Sequence, residues 1–403
     1  MRARRFRVLP RPPEPLTRRL LAAGLLAPAL GLALAGAAAR PALAHALLLG
    51  ADPGAGALLA DPPGQVSLRF SEDVSAAGPG LSVVAPSGRL VNRGQVRAAG
   101  RQLAVQVSAT EQGTYLVRWA VIAQDTHPSR GRFTFSVGRP GPAPAAENLG
   151  ADVGAVSPAG LLLQALGRWL HFIGLALGFG TLAFQVLVRP DPDRRLDRLL
   201  LTGVGLLALG QLVALAGQAA SLDLAPQDVL ASSFGRALGL GLGAALVLWA
   251  AAGAVREAGR GRAAVLVLGI PVVLADGLAG HRIAGVPDLA AFTLGAVHEA
   301  AMAVWVGGLV AFLVLREGGR RFGLIALGCI VTLAASGLLL ALAHLRSPGD
   351  VTSSAYAAVL ALKIIAVAAT ALVAWLGARR VEAAALAGVL ALAALLASLP
   401  PPR

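Results

Sequence analysis

The chain has a single cysteine, and this scarcity excludes two classes of protein. Cys329 lies inside a long apolar run, so the sequence supports neither a disulfide framework nor a metal cluster held by several thiolates. A Walker motif or other phosphate-binding glycine loop is also missing, so we do not expect ATP to drive the protein. Its chemistry must rest on other side chains.

Lysine and aromatic residues are scarce as well. Lys363 is the only lysine among 35 basic residues, and aromatic side chains make up 4% of the 403 residues. The net charge of +14 does not indicate nucleic-acid binding, because the arginines sit in short clusters between apolar runs. A hydrophobic fraction of 56% is instead typical of a membrane protein.

The first 44 residues have the pattern of a secretory signal peptide. Residues 1–19 are rich in arginine, residues 20–39 are apolar, and Ala42-Leu43-Ala44 is a small-x-small processing signal. Cleavage after Ala44 makes His45 the first residue of the mature chain. The alternative is an uncleaved first membrane helix.

A mature chain that begins with His45 carries two nitrogen donors on one residue. Its free α-amino group and its imidazole can chelate one metal ion, and such nitrogen donors suit copper(II). The amine loses its proton readily, since its ordinary pKa is about 7.7 to 8.0. The alternative is that His45 simply follows a cleavage site.

Residues 45–138 have the alternating pattern of an all-β domain. Short runs of period two, separated by proline and glycine, predict half-buried strands at 66–70, 103–107, 115–121 and 133–137. Several such strands indicate a β-sandwich or barrel. Residues 139–158, rich in Pro, Gly and Ala, read as a semi-extended linker.

Residues 159–400 read as an all-α membrane bundle of about eight helices. The apolar runs of spanning length are 161–188, 196–220, 234–255, 263–281, 289–315, 322–345, 355–378 and 381–399. Glycines 174 and 178, and glycines 235, 239 and 243, recur every four residues and predict close helix packing.

The arginines of the loops predict how the bundle is oriented. Loops on one side hold twelve arginines against five on the other, so the positive-inside rule places the sandwich outside. We therefore expect a multi-pass protein of a bacterial inner membrane with a periplasmic N-terminal domain.

Asp125 and His127 complete the soluble site predicted from the sequence. Pro128 restricts His127 to extended backbone, and in an extended segment residues 125 and 127 point to the same side. With His45 they give three nitrogens and one oxygen, a set suited to tetragonal copper(II).

Residues 45–137 closely resemble the CopC copper-binding domain. The resemblance rests on segments 45–47 (HAL), 66–72 (VSLRFSE), 113–119 (GTYLVRW) and 124–128 (QDTHP). It implies a cupredoxin-like or Ig-like sandwich that binds one copper(II) through His45, Asp125 and His127, with Glu72 close by to orient the amine or imidazole by hydrogen bonds. Some members carry a methionine-rich loop for copper(I), but residues 45–137 contain no methionine.

Polar residues inside the apolar runs are candidates for a metal path in the membrane. Ionisable groups are costly there and usually face the bundle interior. His298 and Met302 share a helix face beside Glu299, while a histidine bonded across helices is the structural alternative. The further candidates are His171, His281 and His344, together with Asp276 and Lys363 inside two spans.

The bundle resembles the CopD copper-resistance membrane family over roughly residues 160–380. Segment 296–309 (AVHEAAMAVWVGGL), Ser336-Gly337 and Lys363 carry this resemblance. A sandwich followed by a bundle resembles fused copper proteins of the YcnJ type, which implies copper import.

The leading hypothesis is a non-enzymatic copper-uptake or homeostasis protein whose exported domain captures copper(II) and whose bundle conducts copper inward. Its partners are the copper ion, the lipid bilayer, and periplasmic copper donors or cytoplasmic acceptors. One alternative is a membrane oxidoreductase in which paired histidines such as His171 and His298 hold haem and reduce copper(II). Another is a membrane-anchored copper buffer or sensor.

Overall fold

A computed structural model describes the chain at residues 46–123, 127–142, 144, 157–258, 262–278, 287–344, 355–376 and 379–399. The strands come first and the helices follow, so the expected class, a β-sandwich followed by an all-α bundle, is confirmed. His45 and Asp125 lie outside the described residues.

The described part of the sandwich contains two four-stranded sheets. Their orders are β1-β3-β6-β5 and β2-β8-β7-β4, and every neighbouring pair is antiparallel except β2 with β8. The strands are β1 (Leu48–Asp52), β2 (Leu58–Leu59), β3 (Gln65–Phe70), β4 (Val74–Val84), β5 (Asn92–Ala99), β6 (Gln102–Val107), β7 (Gly113–Ala123) and β8 (Pro128–Val137).

Alternating residues of the two sheets form the sandwich core. Phe70 meets Trp119 edge to face at 5.2 Å, and Tyr115 stacks on Phe135 at 5.2 Å between ring centroids. The four predicted strands are confirmed. The alternation does not reveal β4, because its register shifts between Ala76 and Leu81 across two glycines of positive φ.

The described helical region runs from residue 158 to residue 398. Its helices are α1 (Pro158–Leu175), α2 (Thr181–Leu187), α3 (Arg194–Leu222), α4 (Pro226–Leu230), α5 (Ser233–Ala258), α6 (Arg262–Leu278), α7 (Asp288–Leu315), α8 (Gly319–His344), α9 (Ala355–Trp375) and α10 (Arg379–Ser398). A π-helical turn, Ala176–Gly180, joins α1 to α2 without a break.

Six of these segments are long and apolar enough to cross a membrane. They match six of the eight predicted runs and are Pro158–Leu187, Arg194–Leu222, Leu289–Leu315, Gly319–Ala343, Ala355–Ala374 and Arg380–Ser398. The third and fourth runs are also helical, but their apolar parts are shorter, at Phe234–Ala250 and Ala263–Leu274. Exposed leucines along α8, including Leu324 and Leu342, fit a face in contact with lipid.

Glycines bring helix backbones into direct contact in two places. Along α1 and α3, a methyl group at Gly167 would lie 2.6 Å from the Ala214 nitrogen, and one at Gly174 would lie 2.5 Å from the Leu207 nitrogen. At the π turn, a methyl group at Gly307 of α7 would overlap the Ala176 carbonyl oxygen. Close approach of this kind needs residues without side chains.

The packing predicted for the second glycine series is wrong. Methyl groups at Gly239 and Gly243 would meet no atom within 4 Å among the described residues, and Gly235 lies against the backbone of Leu230 just before its own helix. A four-residue spacing places such glycines on one helix face, but it does not show whether another helix covers that face.

Candidate metal site

Of the three predicted copper ligands, His127 is the one that the structure describes. It lies immediately before β8, and its side chain is only 3% exposed. The Ala123 amide donates to the His127 carbonyl at 2.9 Å, and Ile122 pairs with Pro128 in the ladder. Residues 124–126, which include Asp125, therefore connect two strand ends that are hydrogen-bonded to each other.

The start of the described chain is fastened beside this hairpin. The Ser129 hydroxyl donates to the Ala46 carbonyl at 3.2 Å, and Ala46 is buried in the sandwich core. The described geometry therefore places Ala46, the residue that follows His45 in the sequence, beside the segment that carries His127.

A third segment holds the same N-terminal residues from the other side. The Leu47 amide donates to the Ser71 hydroxyl at 3.0 Å, and the Ser71 amide donates to the Leu47 carbonyl at 2.9 Å. Glu72, which follows Ser71, is half-buried. Segments 46–47, 71–72 and 127–129 thus converge, and Glu72 belongs to one of them.

Two of the predicted metal-site residues belong to the described chain, His127 with its imidazole and Glu72 with its carboxylate, and copper(II) accepts both kinds of donor. Among the described residues no three His, Cys, Asp or Glu side chains form a metal-binding group. His45 and Asp125 lie outside them, so the complete ligand set stays a prediction.

The sandwich rests on the bundle through an apolar patch, which we call the docking contact. It is formed by Ala77 and Ile122 of the sandwich and by Ala219, Leu222 and Val229 of the bundle. Ile122 is fully buried and immediately precedes Ala123, where the His127 hairpin begins. The hairpin therefore lies at the end of the bundle that faces the sandwich.

The bundle contains a cavity of about 950 Å³. Its lining begins near the helix ends on the sandwich side, at Gln164, Gln218 and Phe234, and continues inward to Met302 and Trp305. Phe234 also packs against the docking contact. Phe234 therefore borders both the cavity and the docking contact.

Two of the predicted membrane histidines line this cavity. His298 Nδ1 lies 2.8 Å from the Ser336 hydroxyl of α8, and His171 Nδ1 lies 3.3 Å from the Gln211 side-chain nitrogen of α3. Both rings are held across helices, which is the structural alternative for them. At His298 this bond occupies Nδ1, and Nε2 is the second ring nitrogen.

Met302, Glu299 and Lys363 also line the cavity, so the structure brings together three more of the predicted residues. His281 lies outside the described residues. The backbones of Asp276 and His344 are helical, but their side chains are outside the described set.

The sequence reasoning missed several polar residues of the cavity. Gln164 donates to the Ser221 hydroxyl at 2.8 Å, and Gln211 and Gln218 line the same space. The sequence could have indicated these glutamines, because amide side chains inside apolar runs need internal hydrogen bonds just as histidines do.

At the end of the bundle remote from the sandwich, basic and acidic side chains tie the loops together. Arg189 bonds to Asp191 at 3.1 Å and pairs with Glu317. Arg195 bonds to Asp193 at 2.9 Å. Many arginines counted in the orientation prediction belong to these loops, so the structure separates them from the sandwich by the length of the bundle.

Comparison with known proteins identifies relatives of the sandwich. The CopC domain family matches residues 48–138. Protein YobA of Escherichia coli K12 is 32% identical over 98 residues, which are 23% of this chain and 79% of that protein.

Two solved structures also match. CopC from Methylosinus trichosporium OB3b is 31% identical and covers 26% of this chain and 99% of that chain, with a TM-score of 0.21. PcoC, a methionine-rich copper resistance protein from Escherichia coli, is 28% identical and covers 23% of this chain and 99% of that chain, with a TM-score of 0.20.

Proposed function

Because the chain belongs to the CopC family through its β-sandwich, we propose that it captures copper(II) on the outer side of a bacterial inner membrane and passes copper through its helical bundle into the cell. In this proposal residues 1–44 are a cleaved signal peptide, residues 45–138 are the capturing domain, residues 139–158 are the linker, and residues 159–400 are a CopD-like bundle.

Capture uses the donors that meet at the start of β8. The α-amine and imidazole of His45 bind copper(II) together with Asp125 and His127, and Glu72 orients the terminal residue by hydrogen bonding. The bond from Ser129 to Ala46 supports this assignment, because it holds the residue after His45 beside the His127 segment. The two hydrogen bonds between Leu47 and Ser71 hold the same residues from the other side.

One observation carries the link between capture and transport. The docking contact holds the hairpin on the bundle, and Phe234 belongs both to the surroundings of that contact and to the cavity wall. In this proposal an ion released from the hairpin enters the cavity past Phe234. Capture and entry into the membrane become consecutive steps of one molecule.

The cavity offers a path of ligands through the first part of the membrane. His171, His298, Met302 and Glu299 line it, and each supplies a donor that reduces the cost of removing water from the ion. His281 and His344 belong to the proposed entrance by their place in the sequence. Periplasmic donors and cytoplasmic acceptors of copper are the protein partners that this direction of transport requires.

The proposal is tested by copper accumulation and by transport. A cell that lacks the gene should accumulate less copper in copper-limited medium, and His127→Ala should reproduce this deficit. Purified protein in sealed vesicles should move copper from the side of the sandwich to the other side. Unchanged accumulation contradicts uptake, while copper binding without vesicle transport supports the buffer or sensor instead.

A second function is favoured by the size of the cavity. About 950 Å³ exceeds the space that one copper ion needs, and two histidines with bonded Nδ1 atoms, His171 and His298, line it. Such a cavity suits haem, and the protein would then be a membrane oxidoreductase that reduces copper(II). If the protein purified in detergent shows no Soret band, this function is excluded.

A further inference from the structure

We propose that the deep end of the cavity holds a second metal site, which binds copper(I) through Nε2 of His298 and Sδ of Met302 and which Ser336 positions. This inference rests on the proposed function and deepens it, because it names the oxidation state and the ligands that copper meets inside the bundle. Copper(II) captured by the sandwich reaches this site after a one-electron reduction by an external thiol, in which two thiols and two copper(II) ions give a disulfide, two copper(I) ions and two protons.

Two hydrogen bonds around Ser336 decide which nitrogen of His298 can bind a metal. The Ser336 hydroxyl donates to the Thr332 carbonyl at 2.6 Å, one helical turn back on α8. A serine hydroxyl has one proton, so in the 2.8 Å contact with His298 it acts as the acceptor and Nδ1 as the donor. Nε2 then carries the lone pair that a metal ion requires.

Gly337 fixes the plane of the same ring. A methyl group at this position would lie 3.3 Å from His298 Cε1 and 3.9 Å from Nδ1, so the imidazole packs directly over the glycine. The ring is therefore held by a hydrogen bond at one edge and by backbone contact on α8. A ligand held in this way loses little conformational freedom when the ion arrives.

Met302 supplies a donor that selects the oxidation state. It lies one turn beyond His298 on α7, so the two side chains share a helix face, and both line the cavity. The chain contains two methionines, Met1 and Met302, and Met1 belongs to the predicted signal peptide. A thioether is a soft ligand that favours copper(I).

The position and charge of the site fit a bound cation. His298 lies ten residues from the start of α7, about 15 Å along the helix axis, which is roughly half of a 30 Å hydrocarbon core. The carboxylate of Glu299 lines the same cavity as Lys363 and brings a negative charge to the surroundings of the site.

Silver(I) tests the site without redox chemistry. The full chain carrying His127→Ala, purified in detergent, should bind about one silver(I) ion. Met302→Leu and His298→Gln should each lower the affinity at least tenfold. Ser336→Ala should lower it by roughly 10- to 100-fold, the usual effect of removing a partner of a metal-bound histidine, and Ser336→Thr should restore it.

Thr293→Ala is the matched control, because Thr293 makes the same kind of bond to its own helix, 2.7 Å to the Leu289 carbonyl, and does not line the cavity.

X-ray absorption of the copper(I) form should show one sulfur neighbour that Met302→Leu removes and Cys329→Ser retains. A sulfur neighbour that depends on Cys329 overturns the proposal, as does silver affinity that is unchanged in Met302→Leu and His298→Gln.

Three further results bear on this inference and separate it from the proposed function. A Soret band in the purified protein that His298→Gln removes assigns the cavity to haem and overturns the copper(I) site. Copper(II) binding to the wild-type chain is measured in parallel. A chain that captures and takes up copper(II) but has no silver site refutes this inference and leaves the proposed function standing. Silver binding at His298 in a chain that captures no copper(II) supports the site and contradicts the proposed function.

Discussion

Replacing Ile122 with alanine should release the sandwich from the bundle while leaving the hairpin able to bind copper(II). Val121 and Ala123 belong to the core of the sandwich, so strand alternation puts Ile122 on the outer face of the sheet. There the docking contact buries it completely. It therefore reports on docking rather than on the stability of the sandwich.

The size of the effect follows from the buried side chain. Alanine removes three carbon groups, and at about 0.8 kcal/mol each the docked state loses about 2.4 kcal/mol. This corresponds to roughly a 60-fold fall in the ratio of docked to undocked molecules. Copper uptake should fall with that ratio if the docked state is the one that delivers copper.

Hydrogen exchange in the full chain measures docking. Amides at the end of α3 should exchange faster in Ile122→Ala and in Leu222→Ala. The double variant should change the exchange free energy by less than the sum of the two, because both side chains belong to one contact. Leu90→Ala is the control, since Leu90 is 58% exposed on the sandwich.

Two results would refute the reasoning. Exchange at the end of α3 that matches the wild type in Ile122→Ala would mean that the sandwich does not rest there in solution. Exchange effects that add fully in the double variant would mean that Ile122 and Leu222 do not share a contact. Reduced copper(II) affinity in Ile122→Ala would show that the change reaches the hairpin and would disqualify it as a docking variant.

Three further predictions concern packing, acid stability and the N-terminal anchor. Gly307→Ala should prevent the bundle from folding, because the added methyl group would overlap the backbone of the facing helix turn. Gly239→Ala places its methyl group in open space and should change the unfolding free energy by at most about 1 kcal/mol. Equal thermal stability of the two variants in detergent would contradict this prediction. Hydrogen bonds from Ser87 hold the pKa of Glu111 below its ordinary value of 4.5. The stability that these bonds give the folded sandwich is therefore lost as the pH falls below about 4.5. An acid unfolding profile that is unchanged in Glu111→Gln would contradict this prediction. Ser129→Ala should weaken copper(II) binding by roughly 2- to 10-fold, because it removes one hydrogen bond of the N-terminal segment while the Leu47–Ser71 bonds remain. A titration that matches the wild type would show that this anchor is dispensable.

The architecture follows from sequence patterns wherever burial is regular. Alternation from Val66 to Phe70 and from Tyr115 to Val121 marks strands because one face of each meets the core. The strand β4 escapes that pattern at Gly78 and Gly80, where the chain bulges and the alternation changes register. Sequence periodicity cannot show such an insertion.

The docking contact could not be predicted, since nothing in the sequence distinguishes it from core packing. Ile122 is one apolar residue in a strand of apolar residues, and only the fold shows that it faces α3 and α4.

The contact of Ser336 with His298 could not be predicted from the sequence either. Ser336 is one of several hydroxyl residues in apolar helices, and its bond to His298 depends on how α7 and α8 pack. Helical spacing alone placed His298 and Met302 together, because both lie on α7.

The most direct test of the account is copper(II) titration of the mature full chain followed by electron paramagnetic resonance, with the N-terminal residue identified on the same sample. We expect a chain that begins at His45 and binds one copper(II) in a nitrogen-rich tetragonal site. That signal should disappear in His127→Ala and after acetylation of the terminal amine. A different first residue, or a signal that survives both changes, would contradict the proposed capture site.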